Sequence, residues 1–139
     1  MPPVVPKLLA RPHVFLYRLS GGLLGGRLVG CPVLLLTSKG RKSGKLTTVP
    51  LLYVSDGDSL AIIASYGGSP THPAWYLNLL NDPHCLVQIR RQRTGMMAET
   101  VGPQERGTLW AAALKMYPRY ADYQKRTSRE IPVVRLRAR

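Results

Sequence analysis

Acidic side chains are scarce in this sequence. It carries 7 Asp and Glu against 20 Lys and Arg, which gives a net charge of +13, and no acidic residue precedes Asp56. Paired carboxylates for general acid–base catalysis are therefore missing. So positive a field attracts polyanions such as nucleic acid, an anionic membrane surface or a multiply charged cofactor. A generic basic surface is the plainer alternative.

Cysteine is also rare. Cys31 and Cys85 lie beside apolar runs, and neither their spacing nor that of the 3 histidines matches a zinc site or a redox pair, so we predict no metal. Two buried, reduced thiols favour a cytoplasmic protein. The Gly-x-Ser-x-Gly and Gly-x-Gly-x-x-Gly motifs are missing as well. If the chain is an enzyme, a bound cofactor must carry the chemistry, and the protein must orient it.

Long apolar runs are missing too. Gly-Gly pairs and Arg27 interrupt the leucines of residues 23–29, whereas a transmembrane helix needs about 20 apolar residues. We therefore predict that the chain does not span a membrane. The mixed apolar and basic stretch 13–19 is typical of a segment that lies on a membrane surface, so peripheral contact with the inner face of the cell membrane stays an alternative.

Turn signals and apolar periodicity predict a small barrel of about six antiparallel strands with about three helices, mainly β with α. Residues 1–12, with four prolines, are predicted as a flexible arm, and residues 13–139 as one domain that opens with a helix over 13–29. The predicted strands are 33–37, 46–54, 60–64, 85–90, 96–101 and 131–136. The other predicted helices are 74–80 and 105–116, and residues 91–95 are predicted as a hairpin connection.

The segment 38–45, Ser-Lys-Gly-Arg-Lys-Ser-Gly-Lys, joins two predicted strands and holds four cations, two hydroxyl groups and two glycines. Glycines let backbone N–H groups face a ligand, and Arg and Lys add charge-assisted hydrogen bonds. The glycine spacing is not that of a Walker loop, and no helix follows. The segment indicates a site for a phosphate or a run of carboxylates, with a solvated hairpin tip as the alternative.

Residues 64–76 combine a strand end, the Gly67-Gly68 turn and a helix start that carries Trp75 and Tyr76. Backbone N–H groups beside aromatic faces suit a flat ring system with polar edges. The alternative is a capped helix whose Trp75 fills the core, with His72 as a turn or cap residue.

Three tyrosines recur every three residues, at Tyr117, Tyr120 and Tyr123, so they share one side of a helical turn or a tight loop. They predict a pocket wall with hydrogen-bonding tips, or else amphipathic packing against the barrel.

In this order the three segments resemble the deazaflavin-dependent nitroreductase family, whose members are split β-barrel proteins that use coenzyme F420. The similarity covers about residues 12–134. The stretches that carry it are 34–45, 49–53, 64–68, 72–79, 117–123 and 131–134. The resemblance implies hydride transfer from the reduced deazaflavin to a quinone-like or nitro-containing acceptor, and it associates the N-terminal stretch with membrane contact.

The resemblance also implies residue roles. Positions for the cofactor phosphate, tail and ring are Leu36, Thr37, Arg41, Lys42, Ser43, Gly44, Lys45, Leu46, Ile62, Ile63, Ala64, Ser65, Tyr66, Trp75 and Tyr76. Positions that face the acceptor are Leu52, Tyr117, Tyr120 and Tyr123, and the implied catalytic hydrogen-bond donors are Ser65 and Tyr120.

Three positions depart from the family pattern. Thr47 replaces a common basic residue, Tyr66 a smaller polar or basic one, and Leu52 an aromatic. We expect Thr47 or Tyr66 to weaken tail binding or reshape the pocket, and Leu52 to affect activity on bulky nitroaromatics.

Two other functions stay open at this point. One keeps the fold and binds FMN or haem instead. The other is a non-enzymatic binder of nucleic acid, which the charge favours, but the aromatics lie beside glycine turns and not along one basic strand face. We therefore expect no nucleic-acid partner, a small-molecule acceptor, and either a monomer or a homodimer.

Overall fold

The computed structural model describes residues 27, 28 and 30–139. The predicted arm 1–12 and most of the predicted helix 13–29 lie outside them. Arg27–Leu28 form strand β1, which pairs antiparallel with Cys31 and Pro32. Gly30 makes this reversal with a φ of 79°, which favours glycine. The helix prediction is therefore wrong for Arg27 and Leu28.

Eight strands and three helices form within the described residues. The strands after β1 are β2 (Cys31–Lys39), β3 (Leu46–Leu52), β4 (Val54–Asp56), β5 (Ser59–Ile63), β6 (His84–Ile89), β7 (Gln92–Thr100) and β8 (Val133–Ala138). The helices are α1 (Ala74–Asn81), α2 (Pro103–Met116) and α3 (Arg119–Lys125), and a 3-10 turn spans Tyr66–Gly68.

A break in one long strand closes the sheet into a barrel. β3 pairs with β2, β4 pairs with β5, and Tyr53 is the single residue between β3 and β4. The other ladders are antiparallel and run in the order β2–β6–β7–β8–β5. With β3 and β4 counted as one bent strand, six antiparallel strands surround the interior, which confirms the predicted barrel.

The predicted connection 91–95 is wrong. β6 and β7 pair as far as Ile89 and Gln92, so the turn consists of Arg90 and Arg91 alone. Gly95 lies inside β7, where a Cβ would come within 3.2 Å of the Arg139 Nε. The glycine accommodates a packed guanidinium and does not form the turn.

The helix predictions hold with small changes. α1 and α2 correspond to the predicted helices 74–80 and 105–116, and α2 begins earlier because Pro103 occupies its first turn. Of the three tyrosines, Tyr120 and Tyr123 lie in α3, and Tyr117 directly follows α2.

The strands bury two separate apolar layers because neighbouring residues face opposite sides of the sheet. An interior core fills the barrel and consists of Leu34, Leu36, Leu51, Ile62, Ala64, Trp75, Tyr76, Leu79, Cys85, Val87, Met96, Val134 and Leu136. An outer core lies under α2 and α3 and consists of Cys31, Val33, Leu35, Leu52, Ala61, Ile63, Val101, Leu109, Ala113, Tyr117, Tyr120, Tyr123, Ile131 and Val133.

Arg135 of β8 gathers three of the scarce acidic residues. Its side chain is 11% exposed and forms ion pairs with Glu105, with Asp56 at 3.3 Å and with Glu99 at 3.5 Å. These contacts connect β8 to β4, to β7 and to the first turn of α2.

Replacement of this cation tests the network. Arg135→Ala leaves three carboxylates together, and we expect the free energy of unfolding to fall by about 1–2 kcal/mol, because the carboxylates are half exposed and partly screened. The exposed Arg137→Ala is the matched control, since Arg137 pairs with Glu99 at 3.2 Å on the surface, and we expect a loss of about 0.5 kcal/mol or less. Urea unfolding measures both; equal losses would contradict the network.

Candidate functional site

The tip of the β2–β3 hairpin has a fixed backbone. We refer to residues 38–45 as the cationic hairpin. The Gly40 N–H donates to the Lys45 carbonyl at 2.8 Å, and the Gly44 N–H donates to the Gly40 carbonyl at 2.9 Å. Gly44 has a φ of 73°, and the Ser43 hydroxyl accepts the Lys45 N–H at 3.1 Å. The tip is therefore held by its own hydrogen bonds.

The cations of this hairpin lack acidic partners. Arg41, Lys42 and Lys45 are exposed, and within residues 27, 28 and 30–139 no carboxylate forms an ion pair with them. Hydrogen bonds from His84 lower the pKa of Asp82, and the charge of Lys39 adds to this effect. Asp82 therefore offsets part of the charge of Lys39, whereas Arg41, Lys42 and Lys45 have no ion-pair partner among the described residues.

Asn78 joins the cationic hairpin to α1. Its side chain is buried; its Oδ1 accepts the Arg41 backbone N–H at 3.1 Å, and its Nδ2 donates to the Ser38 hydroxyl at 3.4 Å. Sequence reasoning assigned no role to Asn78, and it included Ser38 only as one of the two hydroxyl groups of the segment 38–45. The available signal was a polar residue between Tyr76 and Leu79 on the apolar side of a helix.

A second loop meets this end of the barrel. We refer to residues 65–69 as the left-handed turn, because Tyr66, Gly67 and Gly68 have φ values of 47°, 65° and 80°. A Cβ on Gly68 would lie 2.6 Å from the Tyr123 carbonyl oxygen, so only glycine lets the turn sit on α3.

The strand register places both loops at the same end. The end of β2 pairs with the start of β6, which pairs with the end of β7. The end of β7 pairs with the start of β8, which in turn pairs with the end of β5, where the left-handed turn begins. The structure therefore brings the first two predicted segments together around one mouth of the barrel.

Two large apolar side chains at predicted cofactor positions are exposed there. Leu46, just after the cationic hairpin, is 73% exposed, and Tyr66 in the left-handed turn is 43% exposed. They offer apolar surface beside the unneutralised cations.

Several predicted ring-lining residues are buried instead. Leu36, Ile62, Ala64, Trp75 and Tyr76 belong to the interior core. The Tyr76 hydroxyl forms a hydrogen bond with the Thr100 hydroxyl at 2.8 Å. These five side chains support the mouth from within and do not face solvent.

Ile63 lies in the outer core, and so do all four predicted acceptor-facing residues, Leu52, Tyr117, Tyr120 and Tyr123. Tyr117, Tyr120 and Tyr123 are buried, and the hydroxyls of Tyr117 and Tyr123 are 3.0 Å apart. Burial raises the pKa of Tyr120 and of Tyr123, so both phenols stay protonated. With the exception of Ile63, the buried apolar cofactor candidates therefore lie in the interior core and the acceptor candidates in the outer core, on the other side of the sheet.

The two predicted catalytic hydroxyls are covered. Ser65 is 1% exposed and Tyr120 is 2% exposed, so in this arrangement neither offers its hydroxyl at the surface of the mouth. Their assignment depends on the resemblance alone.

A cavity of about 180 Å³ opens at the opposite end of the barrel. Leu60, Val87, Ile89 and Met96 line it, with Asp58 and Gln92 among its polar residues. It is small against ligand pockets of about 300–1,000 Å³, and the cationic hairpin lies at the other mouth. We therefore do not assign the cofactor to it.

Within the described part of the chain, no three His, Cys, Asp or Glu side chains come together as metal ligands, and no helix is long and apolar enough to cross a membrane.

Comparisons with known proteins identify the family and the fold. Residues 9–137 match the sequence model of a family described as F420H(2)-dependent quinone reductase. An F420H(2)-dependent quinone reductase of Mycobacterium tuberculosis is 40% identical over 135 residues, which cover 94% of this chain and 91% of the relative.

Solved structures share the fold. An F420-H2 dependent reductase (FDR-A) is 40% identical with a TM-score of 0.70, and the match covers 76% of this chain and 93% of that one. A protein described as a domain-swapped dimer is 36% identical with a TM-score of 0.72, over 95% of this chain and 99% of that one. The haem storage protein HutZ of Vibrio cholerae, at 11% identity with a TM-score of 0.62 over 94% of this chain and 90% of that one, shares the fold alone.

The predicted resemblance to F420-using split-barrel proteins is confirmed, and the matching family is the one described by quinone reduction. From the match over residues 9–137 and the 40% identity along nearly its whole length, this chain belongs to the F420H(2)-dependent quinone reductase family.

Proposed function

We propose that this chain reduces a quinone with reduced coenzyme F420, and that the cationic hairpin holds the coenzyme by its anionic end. As a member of its family the chain is an F420H2-dependent oxidoreductase. The observation that carries the proposed site is the set of three exposed cations without carboxylate partners, Arg41, Lys42 and Lys45, on a loop that Asn78 fixes from below.

The donor chemistry of this mouth fits the coenzyme. A phosphate and a polycarboxylate tail require cationic donors, which the side chains of Arg41, Lys42 and Lys45 supply. The expectation that the glycine N–H groups face a ligand is wrong, because those of Gly40 and Gly44 donate to carbonyl groups of the hairpin itself. A flat ring requires apolar surface next to those donors, and the exposed Leu46 and Tyr66 provide it at the same end of the barrel. The side chains at this mouth therefore supply the types of group that the coenzyme requires.

Reduced coenzyme F420, when bound, supplies the hydride. The chain's own residues have to bind and orient the coenzyme and the quinone and to exclude water, because hydride transfer needs the two reacting atoms about 3–3.5 Å apart and aligned. Asn78 and the hydrogen bonds of the hairpin fix the anionic end, and the contact between Gly68 and Tyr123 fixes the turn on the other side. Most of the rate enhancement therefore comes from holding the coenzyme and the quinone in the correct relative position.

We place Ser65, Tyr120 and Leu52 behind the mouth and not on its surface, because all three are buried. Tyr120 contacts the rings of Tyr117 and Tyr123, at centroid distances of 5.0 and 6.3 Å. Because α3 supports the left-handed turn, this cluster sets the height of the turn over the acceptor. A direct hydrogen bond from Ser65 or Tyr120 to the acceptor requires the turn to open when ligand binds.

Finer points of the proposal concern the acceptor and the assembly. A nitro-containing acceptor is an extension beyond the quinone of the family description. A homodimer is supported by the 36% identical structure described as a domain-swapped dimer. Peripheral membrane contact, which would suit lipid-soluble quinones, depends on the composition of residues 13–19, outside the described part.

Neutralising the hairpin tests the binding site. The triple variant Arg41→Gln, Lys42→Gln, Lys45→Gln should weaken coenzyme F420 binding about 100-fold, because loss of about 1 kcal/mol per charge-assisted contact adds up to that factor. The dependence of Kd on salt should weaken in parallel. Spectral titration measures both.

The matched control is Arg91→Gln, Arg93→Gln, Lys115→Gln, which removes the same charge from exposed residues elsewhere. Its Kd should stay within about threefold of the original, since distant charges are screened. Equal weakening by both triple variants would mean that net charge, and not the hairpin, binds the coenzyme.

Asn78 should influence affinity without touching the ligand. Asn78→Leu removes the acceptor of the Arg41 N–H, and we expect coenzyme Kd to rise about 5- to 10-fold and unfolding free energy to fall by about 1–3 kcal/mol. Asn81→Leu, on the exposed side of the same helix, is the control and should change neither beyond about 0.5 kcal/mol. Unchanged affinity in Asn78→Leu, with stability lost, would separate the hairpin from binding.

The activity itself is tested with purified protein, F420H2 and a water-soluble quinone. We expect oxidation of F420H2, which is measured by the return of the absorbance of the oxidised coenzyme. With NADPH as the donor we expect no reduction of the quinone. A yellow protein that releases FMN on denaturation and does not oxidise F420H2 would replace the proposal with the FMN alternative.

A further inference from the structure

Arg129, in the loop between α3 and β8, forms four hydrogen bonds, two with the left-handed turn and two with residues on either side of it. Its guanidinium donates to the carbonyl oxygens of Ser69 at 2.9 Å, Ala64 at 3.1 Å and Ser65 at 2.8 Å. It also contacts the His72 Nδ1 at 3.1 Å. All four acceptors are neutral, and among the residues that the structure describes no carboxylate forms an ion pair with Arg129.

This contact fixes the protonation of His72. A guanidinium only donates hydrogen bonds, so the Nδ1 of His72 must accept, and the ring proton must lie on Nε2. Burial lowers the pKa of His72, and the positive charge of Arg129 lowers it further. Arg129 and Tyr76, whose ring centroid lies 5.0 Å from that of His72, are the titratable groups in contact with the imidazole in the described residues.

The Nε2 atom of His72 is available to a ligand. Within the described structure it has no hydrogen-bond partner, and no buried side-chain nitrogen or oxygen of residues 27, 28 and 30–139 is left without one. Since His72 itself is half-buried, its Nε2 must reach solvent. The imidazole also shares one guanidinium with the Ser65 carbonyl, which places it beside the left-handed turn.

We propose that His72 is a ligand-binding hydrogen-bond donor, which offers its Nε2–H to an oxygen at the edge of the bound planar ligand, and that Arg129 is the positioning residue that sets its tautomer. The inference rests on the proposed function. The recognised group is a carbonyl or anionic oxygen, carried either by the deazaflavin ring or by the quinone.

The tautomer can be measured on the unaltered protein. With ¹⁵N-labelled histidine, long-range ¹H–¹⁵N spectra should show His72 neutral at pH 7 with its proton on Nε2, and the signal is assigned by its absence in His72→Gln. In Arg129→Gln the signal should shift to a mixture of tautomers and titrate at a higher pH. A proton on Nδ1 in the unaltered protein, or an unchanged tautomer in Arg129→Gln, would overturn the inference.

Two substitutions at His72 separate hydrogen bonding from packing. His72→Gln keeps an N–H donor near the Nε2 position, and His72→Phe keeps the ring without a donor. We expect His72→Gln to keep the affinity for the planar ligand within about threefold of the original. His72→Phe should weaken that affinity about 10-fold, which is the effect of one hydrogen bond. Arg91→Gln, in the exposed turn at the opposite end of the barrel, is the control and should change nothing.

The affected parameter identifies the oxygen. A rise in coenzyme Kd for His72→Phe assigns it to the deazaflavin, and a rise in KM for the quinone at unchanged coenzyme Kd assigns it to the acceptor. If the unaltered protein binds coenzyme but Phe and Gln behave alike, the role of His72 is refuted while the proposed function stands. If the unaltered protein binds no coenzyme, the proposed function itself has failed.

Discussion

The bend at Tyr53 determines where the site can form. Because β3 pairs with β2 and β4 pairs with β5, one strand serves two ladders and closes the sheet. The register of the other ladders puts the cationic hairpin and the left-handed turn at the same end of the sheet. Closure makes that end one mouth of the barrel, so that the two loops, which are about 20 residues apart in sequence, border the same opening.

The distribution of acidic residues gives this mouth its charge. Asp56, Glu99 and Glu105 are drawn to Arg135, and Glu130 lies 3.7 Å from Arg106. In both cases the carboxylates pair with cations away from the hairpin. A protein with few acids that places them on structural arginines leaves its loop cations available for an anion. Stability and binding therefore use different parts of the same positive charge.

The barrel could be predicted from the sequence because its signals are local. Most of the six strands are apolar runs bounded by turn residues, and Asp56-Gly57 marks a tight hairpin. β7 is the exception, since Met96 is its one buried residue. Glycine misled the prediction at Gly95, where the absence of a side chain accommodates Arg139 and not a turn. Arg90, which takes a positive φ of 56° in the real turn, gives no such sequence signal.

The site was predicted only in part. The cationic hairpin could be recognised because its composition is unusual over eight residues. Asn78 and Arg129 could not, because each acts on a loop 37 to 65 residues away in the chain. Burial also could not be predicted for the tyrosines, since their spacing fits both a pocket wall and a packed face, and the structure places their side chains in the outer core.

The central claim is that the mouth formed by the cationic hairpin and the left-handed turn is where the coenzyme binds. A crystal structure with coenzyme F420 bound tests it most directly. The account predicts the phosphate against Arg41, Lys42 and Lys45, with the ring beside Tyr66. A phosphate at the opposite mouth, near Arg90 and Arg91, would contradict it.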